Sequence, residues 1–154
     1  MKEIIEKLTN NKETISTMES CTGGYLANEI TNIEGSSEVF KYGTVTYSNE
    51  YKIKMGVSKE IIDKYSVYSI NTADEMSKII SKYTDSDYGV GITGKLNRVD
   101  KYNPFGEDNI VYISIYSNKD NKFYHATVEC TKDSRKKNKE LVIETVISIL
   151  KNII

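Results

Sequence analysis

Three side chains able to attack a carbonyl carbon stand together in the segment MESCTGGYL (Met18 to Leu26): Ser20, Cys21 and Thr22. Gly23 and Gly24 follow, and then Leu26, Ile30 and Ile33 recur at helical spacing. Three readings suit such a stretch. A hydroxyl or thiol on a turn can be a nucleophile once a base takes its proton. Backbone N–H groups exposed at a helix start can favour a phosphate or the oxyanion of an acyl intermediate. A Gly-Gly turn can also be a plain strand-to-helix connection, with Ser20 as a helix cap. Cys21 at a helix start would have a lowered pKa, against the alternative of a small buried thiol.

Two further groups of chemically capable residues lie downstream. Tyr47-Ser48-Asn49-Glu50-Tyr51-Lys52 follows one apolar run, and Gly91-Ile92-Thr93-Gly94 closes another. A lysine ordinarily titrates near 10.4, so Lys52 could act as a base near neutrality only if desolvated or crowded by other cations. Most lysines are solvated surface residues. Tyr47 and Thr93 could equally be strand-packing residues. The single histidine, His125, lies far from all three groups, which leaves a Ser-His-Asp triad without support. One histidine and two distant cysteines, Cys21 and Cys130, do not make a standard zinc site, and no motif calls for magnesium. Neither a metal nor a cofactor is expected.

The elements that must position these groups can be read from periodicity. Ile4, Ile5 and Leu8 share a helical face that Asn10-Asn11 ends. Thr14 to Met18 is β-branched and short, a strand. Val39 to Tyr47 reads as a second strand and Tyr88 to Ile92 as a third. Ser58 and Ser69 are placed to cap helices, the second carrying Ile70, Ala73, Met76, Ile80 and Tyr83. Lys95 to Asn109 is irregular and holds the only proline, Pro104; a loop of that length in a compact domain is usually functional or mobile. Ile110 to Tyr116 and Phe123 to Cys130 form a hairpin. From Asp133 a final helix places Leu141, Thr145, Ile149 and Ile153 in register. All three chemical groups therefore fall at strand ends, where open α/β sheets bind ligands. The fold class expected is α/β, a mixed sheet with helices on both faces, in a single domain over 1–154.

Bulk composition agrees with a soluble globular chain. The 154 residues are 28% charged and 38% hydrophobic, with net charge −1. Near-neutrality argues against a general nucleic-acid binder. No apolar run is long enough to cross a membrane, and the start, MKEIIEKLTNN, is not a secretory signal. With two cysteines and no export signal, a reduced cytoplasmic setting is expected.

The order ESCTGG (Glu19–Gly24), GSSEVF (Gly35–Phe40), GTVTYSNEYK (Gly43–Lys52), Gly56-Val57 and GITG (Gly91–Gly94) resembles the CinA C-terminal domain family, whose members include nicotinamide mononucleotide deamidases. The match runs from about Thr14 to Thr93, with a weaker echo at Arg135 and the last helix. The resemblance implies a three-layer α/β/α sandwich and a serine/lysine amidohydrolase that converts the nicotinamide carboxamide to a carboxylate and ammonia. It implies Ser20 as nucleophile, Lys52 as base, Tyr47 as an assisting or orienting residue, and Thr93 near nucleophile or substrate. Thr22, Gly23, Gly24, Asn49, Gly94 and Arg135 become candidates for substrate binding, Arg135 for a phosphate. A small-molecule nucleotide is the implied partner, and a homodimer the implied assembly. The chain departs from the family after Thr93: a glycine-rich loop is expected there, and Lys95-Leu96-Asn97-Arg98-Val99-Asp100 stands in its place. That departure leaves open a second expectation, a nucleotide-binding protein of the same fold that is inactive or shifted in substrate. Lys136, Lys137, Asn138 and Lys139 are expected to be surface residues, and a stand-alone domain without the N-terminal partner of longer members is expected.

Overall fold

In the computed structural model, which describes residues 1–154, five strands form one sheet in the order β2-β1-β3-β4-β5. The strands are β1 (Ile15–Glu19), β2 (Phe40–Val45), β3 (Tyr88–Gly94), β4 (Ile110–Ser117) and β5 (Lys122–Glu129). β1 runs parallel to both β2 and β3, whereas β4 and β5 continue the sheet antiparallel as a hairpin. The sheet is therefore mixed, as expected. Both neighbours of β1 are parallel strands that end on the same edge, which is what brings the three chemical groups together.

Six helices cover the sheet: α1 (Lys2–Asn11), α2 (Tyr25–Thr31), α3 (Asn49–Lys54), α4 (Lys59–Tyr65), α5 (Ile70–Thr84) and α6 (Arg135–Ile153). Alternation along the strands sorts their side chains between two apolar clusters. Ile15, Val90, Ile92, Val111, Ile113 and Ile115 pack with α1, α2 and α6 on one face. Met18 packs with α4 and α5 on the other, through Ile62, Met76 and Ile80. This is an α/β/α sandwich. The caps at Ser58 and Ser69 form as expected, accepting from Ile61 N at 3.4 Å and Thr72 N at 3.1 Å.

Two elements differ from expectation. Strand two ends at Val45, and Asn49–Lys54 is a helix, capped by Ser48, whose Oγ accepts from Tyr51 N at 3.3 Å. In α6 the inward stripe is Asn138, Val142, Val146 and Leu150, with Ile143, one residue on from the Leu141 series; Asn138, expected at the surface, is buried because its amide side chain bonds both the N–H and the carbonyl of Lys132. Leu141, Val142 and Ile143 are all apolar, so the local pattern does not by itself select which of them faces the core.

The face of β3 toward α5 is built from Gly89 and Gly91, and α5 lies almost on the strand. A Cβ at Gly89 would fall 2.0 Å from the Ser77 carbonyl oxygen, and one at Gly91 2.3 Å from that of Ala73. Neither obstacle can rotate away, because both are backbone. Gly89→Ala is expected to cost about 3 kcal/mol or more, at the upper end of overpacking penalties, read as a lowered urea midpoint.

Candidate active site

Ser20 follows the last residue of β1 and donates its N–H to Ile92 O of the neighbouring β3 at 3.0 Å. The chain then turns through Cys21–Gly24, with Gly23 and Gly24 at φ +64° and +89°, a region that favours glycine. Ser20 is not the cap of α2, because that helix begins only at Tyr25 with Gly24 at its cap position. Glu19 does the fastening instead. Its fully buried carboxylate accepts from Leu26 N at 3.1 Å and Ala27 N at 2.9 Å. The start of α2 is thus satisfied internally, which narrows the anion-cradle reading to the turn. There the N–H groups of Thr22 and Gly24 have no acceptor within the protein. The Thr22 hydroxyl, fully buried, also has no partner.

Lys52 reaches this turn from α3. Its amine donates to Ser20 Oγ at 2.9 Å and to Thr46 O at 2.7 Å. Both partners are shielded, Ser20 being 5% exposed and Lys52 1%. Desolvation by burial pushes the Lys52 pKa down to about 8, against the opposing pull of the Cys21 thiol and the Asp100 carboxylate. At pH 7 about a tenth of the molecules then hold the neutral amine, against a negligible fraction for a free lysine. Cys21 is different: burial, reinforced by Cys130, pushes its thiol up to about 12. Both cysteines are free and buried, so Cys21 is a small buried thiol and not an activated one.

The other sequence candidates spread around this pair. Tyr47 is 63% exposed and its hydroxyl accepts from Arg135 Nη2 at 3.1 Å, so these two meet each other at the surface. Thr93 is fully buried and its hydroxyl donates to Val67 O at 2.9 Å, which ties β3 to the connection before α5; it has no hydrogen bond to Ser20 or Lys52. Gly94 packs against the β4 backbone, where a Cβ would lie 2.5 Å from Ile110 O. Asn49 opens α3 and donates its amide to Asn103 Oδ1 at 2.8 Å.

Lys139 was expected to be plain surface, and it is not. Its amine lies over the turn, 3.3 Å from where a Cβ of Gly23 would stand, and it forms no ion pair. The available signal was its spacing of four from Arg135, which places both cations on one face of α6. The Lys95–Asn109 segment is likewise built around charged residues. Lys95 is buried, paired with Asp108 at 2.9 Å and set over the Tyr68 ring at 5.3 Å. Asp100 accepts from the Tyr68 hydroxyl, from Asn103 Nδ2 at 2.9 Å and from Tyr102 N at 2.9 Å. Burial alone would raise the Asp100 pKa; these hydrogen bonds outweigh it and hold the carboxyl down at about 2. No group of histidine, cysteine and carboxylate side chains is arranged to hold a metal ion. No helix is long and apolar enough to cross a membrane.

The CinA C-terminal domain family model matches residues 1–154. A CinA-like protein of Endomicrobium trichonymphae is 38% identical over 148 residues, covering 94% of this chain and 33% of that protein. One from Kosmotoga olearia is 40% identical over 116 residues, 75% of this chain and 28% of that protein. Thus the chain spans about a quarter to a third of the length of the curated relatives it matches. Among solved structures, the competence/damage inducible protein CihA from Agrobacterium tumefaciens superposes with a TM-score of 0.86 at 27% identity, covering 97% of this chain and 90% of that one. A CinA superfamily protein from Escherichia coli gives 0.86 at 23% identity over 99% of this chain and 87% of that one, a likeness of fold. The chain belongs to the CinA C-terminal domain family.

Proposed function

We propose that this member of the CinA C-terminal domain family is an amidohydrolase acting on a pyridine nucleotide of the nicotinamide mononucleotide kind, with Ser20 as nucleophile and Lys52 as base. The observation that carries the reading is the 2.9 Å contact between the Lys52 amine and Ser20 Oγ, with both groups shielded from water. The family includes nicotinamide mononucleotide deamidases, and the ESCTGG and YSNxxK motifs are intact here.

The chemistry follows from the geometry. In the fraction with neutral Lys52, the amine takes the Ser20 proton as Oγ attacks the carboxamide carbon. The charge that develops on the carbonyl oxygen is met by N–H groups of the turn, where those of Thr22 and Gly24 have no acceptor of their own. Lys52 then passes the proton to the amide nitrogen, ammonia leaves, and Ser20 holds the acyl group as an ester. Water attacks that ester with Lys52 again as base and releases the carboxylate. Arg135, with Lys139 four residues on, supplies cations on the side of the turn where a substrate phosphate would lie. Tyr47 orients Arg135 through its hydroxyl.

The test is ammonia release from nicotinamide mononucleotide by the purified protein. Release supports the reading, and none from folded protein sinks that substrate. Cys21→Ala distinguishes the two adjacent nucleophile candidates. Its kcat is expected to stay within about threefold of wild type, since a buried thiol that titrates near 12 supplies no thiolate at pH 7–8. A loss of several orders of magnitude in that variant would move the nucleophile to Cys21.

A second reading, a nucleotide-binding protein without turnover or with another substrate, is favoured by a separate observation. The remodelled loop, which stands where the family has glycines, is fastened to α3 by the Asn49–Asn103 hydrogen bond at 2.8 Å. Binding of nicotinamide mononucleotide without ammonia release is the outcome that selects it.

A further inference from the structure

The segment that departs from the family pattern is connected to the helix bearing the proposed base. Tyr68, just before α5, donates its hydroxyl to Asp100 Oδ2, and Asn103 donates to the same oxygen at 2.9 Å. Asn103 in turn accepts from Asn49 Nδ2 at 2.8 Å. Asn49 is the first residue of α3, and Lys52 lies three residues further on. The far end of the network is fixed as well. Val67, next to Tyr68, accepts from Thr93 at the end of β3, and buried Lys95 lies over the Tyr68 ring. A continuous set of side-chain contacts therefore runs from the β3 end, across the 95–109 loop, to the start of α3.

We propose that Asp100 is a positioning residue of this site: through Asn103 and Asn49 it fastens the remodelled loop to α3 and so sets where the Lys52 amine stands relative to Ser20. A helix of only six residues has little intrinsic stability, and α3 has one buried side chain, that of Lys52 itself. Its orientation must come from outside. The Ser48 cap fixes its first turn from one side, and the Asp100–Asn103–Asn49 series fixes it from the loop side. In place of glycines that let backbone approach a ligand, this chain has a side-chain bracket. The inference rests on the amidohydrolase reading only in giving Lys52 its role.

Two readouts that need no turnover test it. The first is the titration midpoint of Lys52, followed by NMR on isotope-labelled lysine side chains, with its signal identified by its loss in Lys52→Met. The titratable groups acting on Lys52 are the Cys21 thiol, from the turn, and Asp100, from the loop. Asp100→Asn keeps the shape and an acceptor oxygen but removes the one nearby anion. The midpoint is expected to move down by roughly 0.3–1 pH unit. The second readout is amide hydrogen exchange. Asn103→Ala leaves the carboxylate and cuts its link to α3. Protection of the α3 amides is expected to fall roughly tenfold, with β1 and β3 unchanged. Asn49→Ala, on the other side of the same link, should give the same loss without touching the loop. A Lys52 midpoint that stays put in Asp100→Asn overturns the proposal, and so does α3 protection that survives Asn49→Ala. Neither result depends on ammonia release, so a failed amidase assay and a failed bracket are told apart.

Discussion

Ser20→Ala is expected to abolish ammonia release from nicotinamide mononucleotide, with kcat falling by about 10³-fold or more, as when a nucleophile is removed from a concerted nucleophile–base pair. Lys52→Ala is expected to fall as far. The double variant is expected to be no worse than either single one, because both residues serve one proton transfer and their losses do not add. Substrate affinity should survive in Ser20→Ala, since the cations Arg135 and Lys139 and the turn N–H groups are untouched; calorimetry on that variant measures it. Each alternative has its own signature. If Ser20 were only a turn residue, alanine would leave kcat within a few fold. If Lys52 were only a buried structural lysine, Lys52→Ala would lower stability and KM-independent activity in proportion to unfolding, and the folded fraction would react at the wild-type rate. Additive losses in the double variant would mean that the 2.9 Å contact is not the one used.

Much of this arrangement is legible in the residues, and the parts that are not have physical reasons. The strand periods and serine caps at Ser58 and Ser69 are local signals, and the sheet follows from them with its site at the ends of the parallel strands. α3 is not legible in the sequence because its six residues are too few for a periodic pattern, even though Ser48 offers a cap. The α6 stripe lies one position from the Leu141 series because Leu141, Val142 and Ile143 are all apolar, and only packing against the rest of the fold selects among them. Motif spacing joins Ser20 to Lys52 as a pair, but their separation of 32 residues says nothing about distance. The contact follows from β2 lying beside β1, a non-local fact. The hold of Glu19 on the α2 backbone has no local signal, because its acceptor role depends on where α2 starts. The Asp100 network had no local signal, since it joins Asn49, Tyr68 and Asn103 from three separate segments. Thr93, placed by the resemblance near nucleophile or substrate, spends its hydroxyl on Val67 O, a contact with a structural purpose.

Lys52→Met should separate the cost of the site from its use. A lysine held at about 8, against an ordinary 10.5, binds its proton more weakly in the folded chain than in the unfolded one. Between those two values the unfolded chain retains a proton that the folded chain has shed, so stability rises with pH across the window from about 8 to 10.5. Below 8 the folded protein bears the full penalty of a buried ammonium, on the order of 3 kcal/mol for a gap of that size. Methionine has similar length and no charge, so it removes that penalty. It also leaves Ser20 Oγ and Thr46 O without the donor they now share, a loss of about 1 kcal/mol each. The balance at pH 7 is a variant more stable than wild type by about 1 kcal/mol. At pH 10 the wild type has lost most of its penalty and keeps its hydrogen bonds, so the order is expected to reverse. Urea midpoints at the two pH values measure both signs, and a wild-type curve that stays flat from pH 8 to 10 would show that the amine is not desolvated. A residue whose replacement by an apolar isostere stabilises the fold at neutral pH while eliminating turnover is held in place by function. Loss of the same proton raises the rate through about pH 8 and the stability from about 8 to 10.5, and this shared rise, with turnover lost in Lys52→Met, distinguishes a base held in a dry site from a lysine buried for packing.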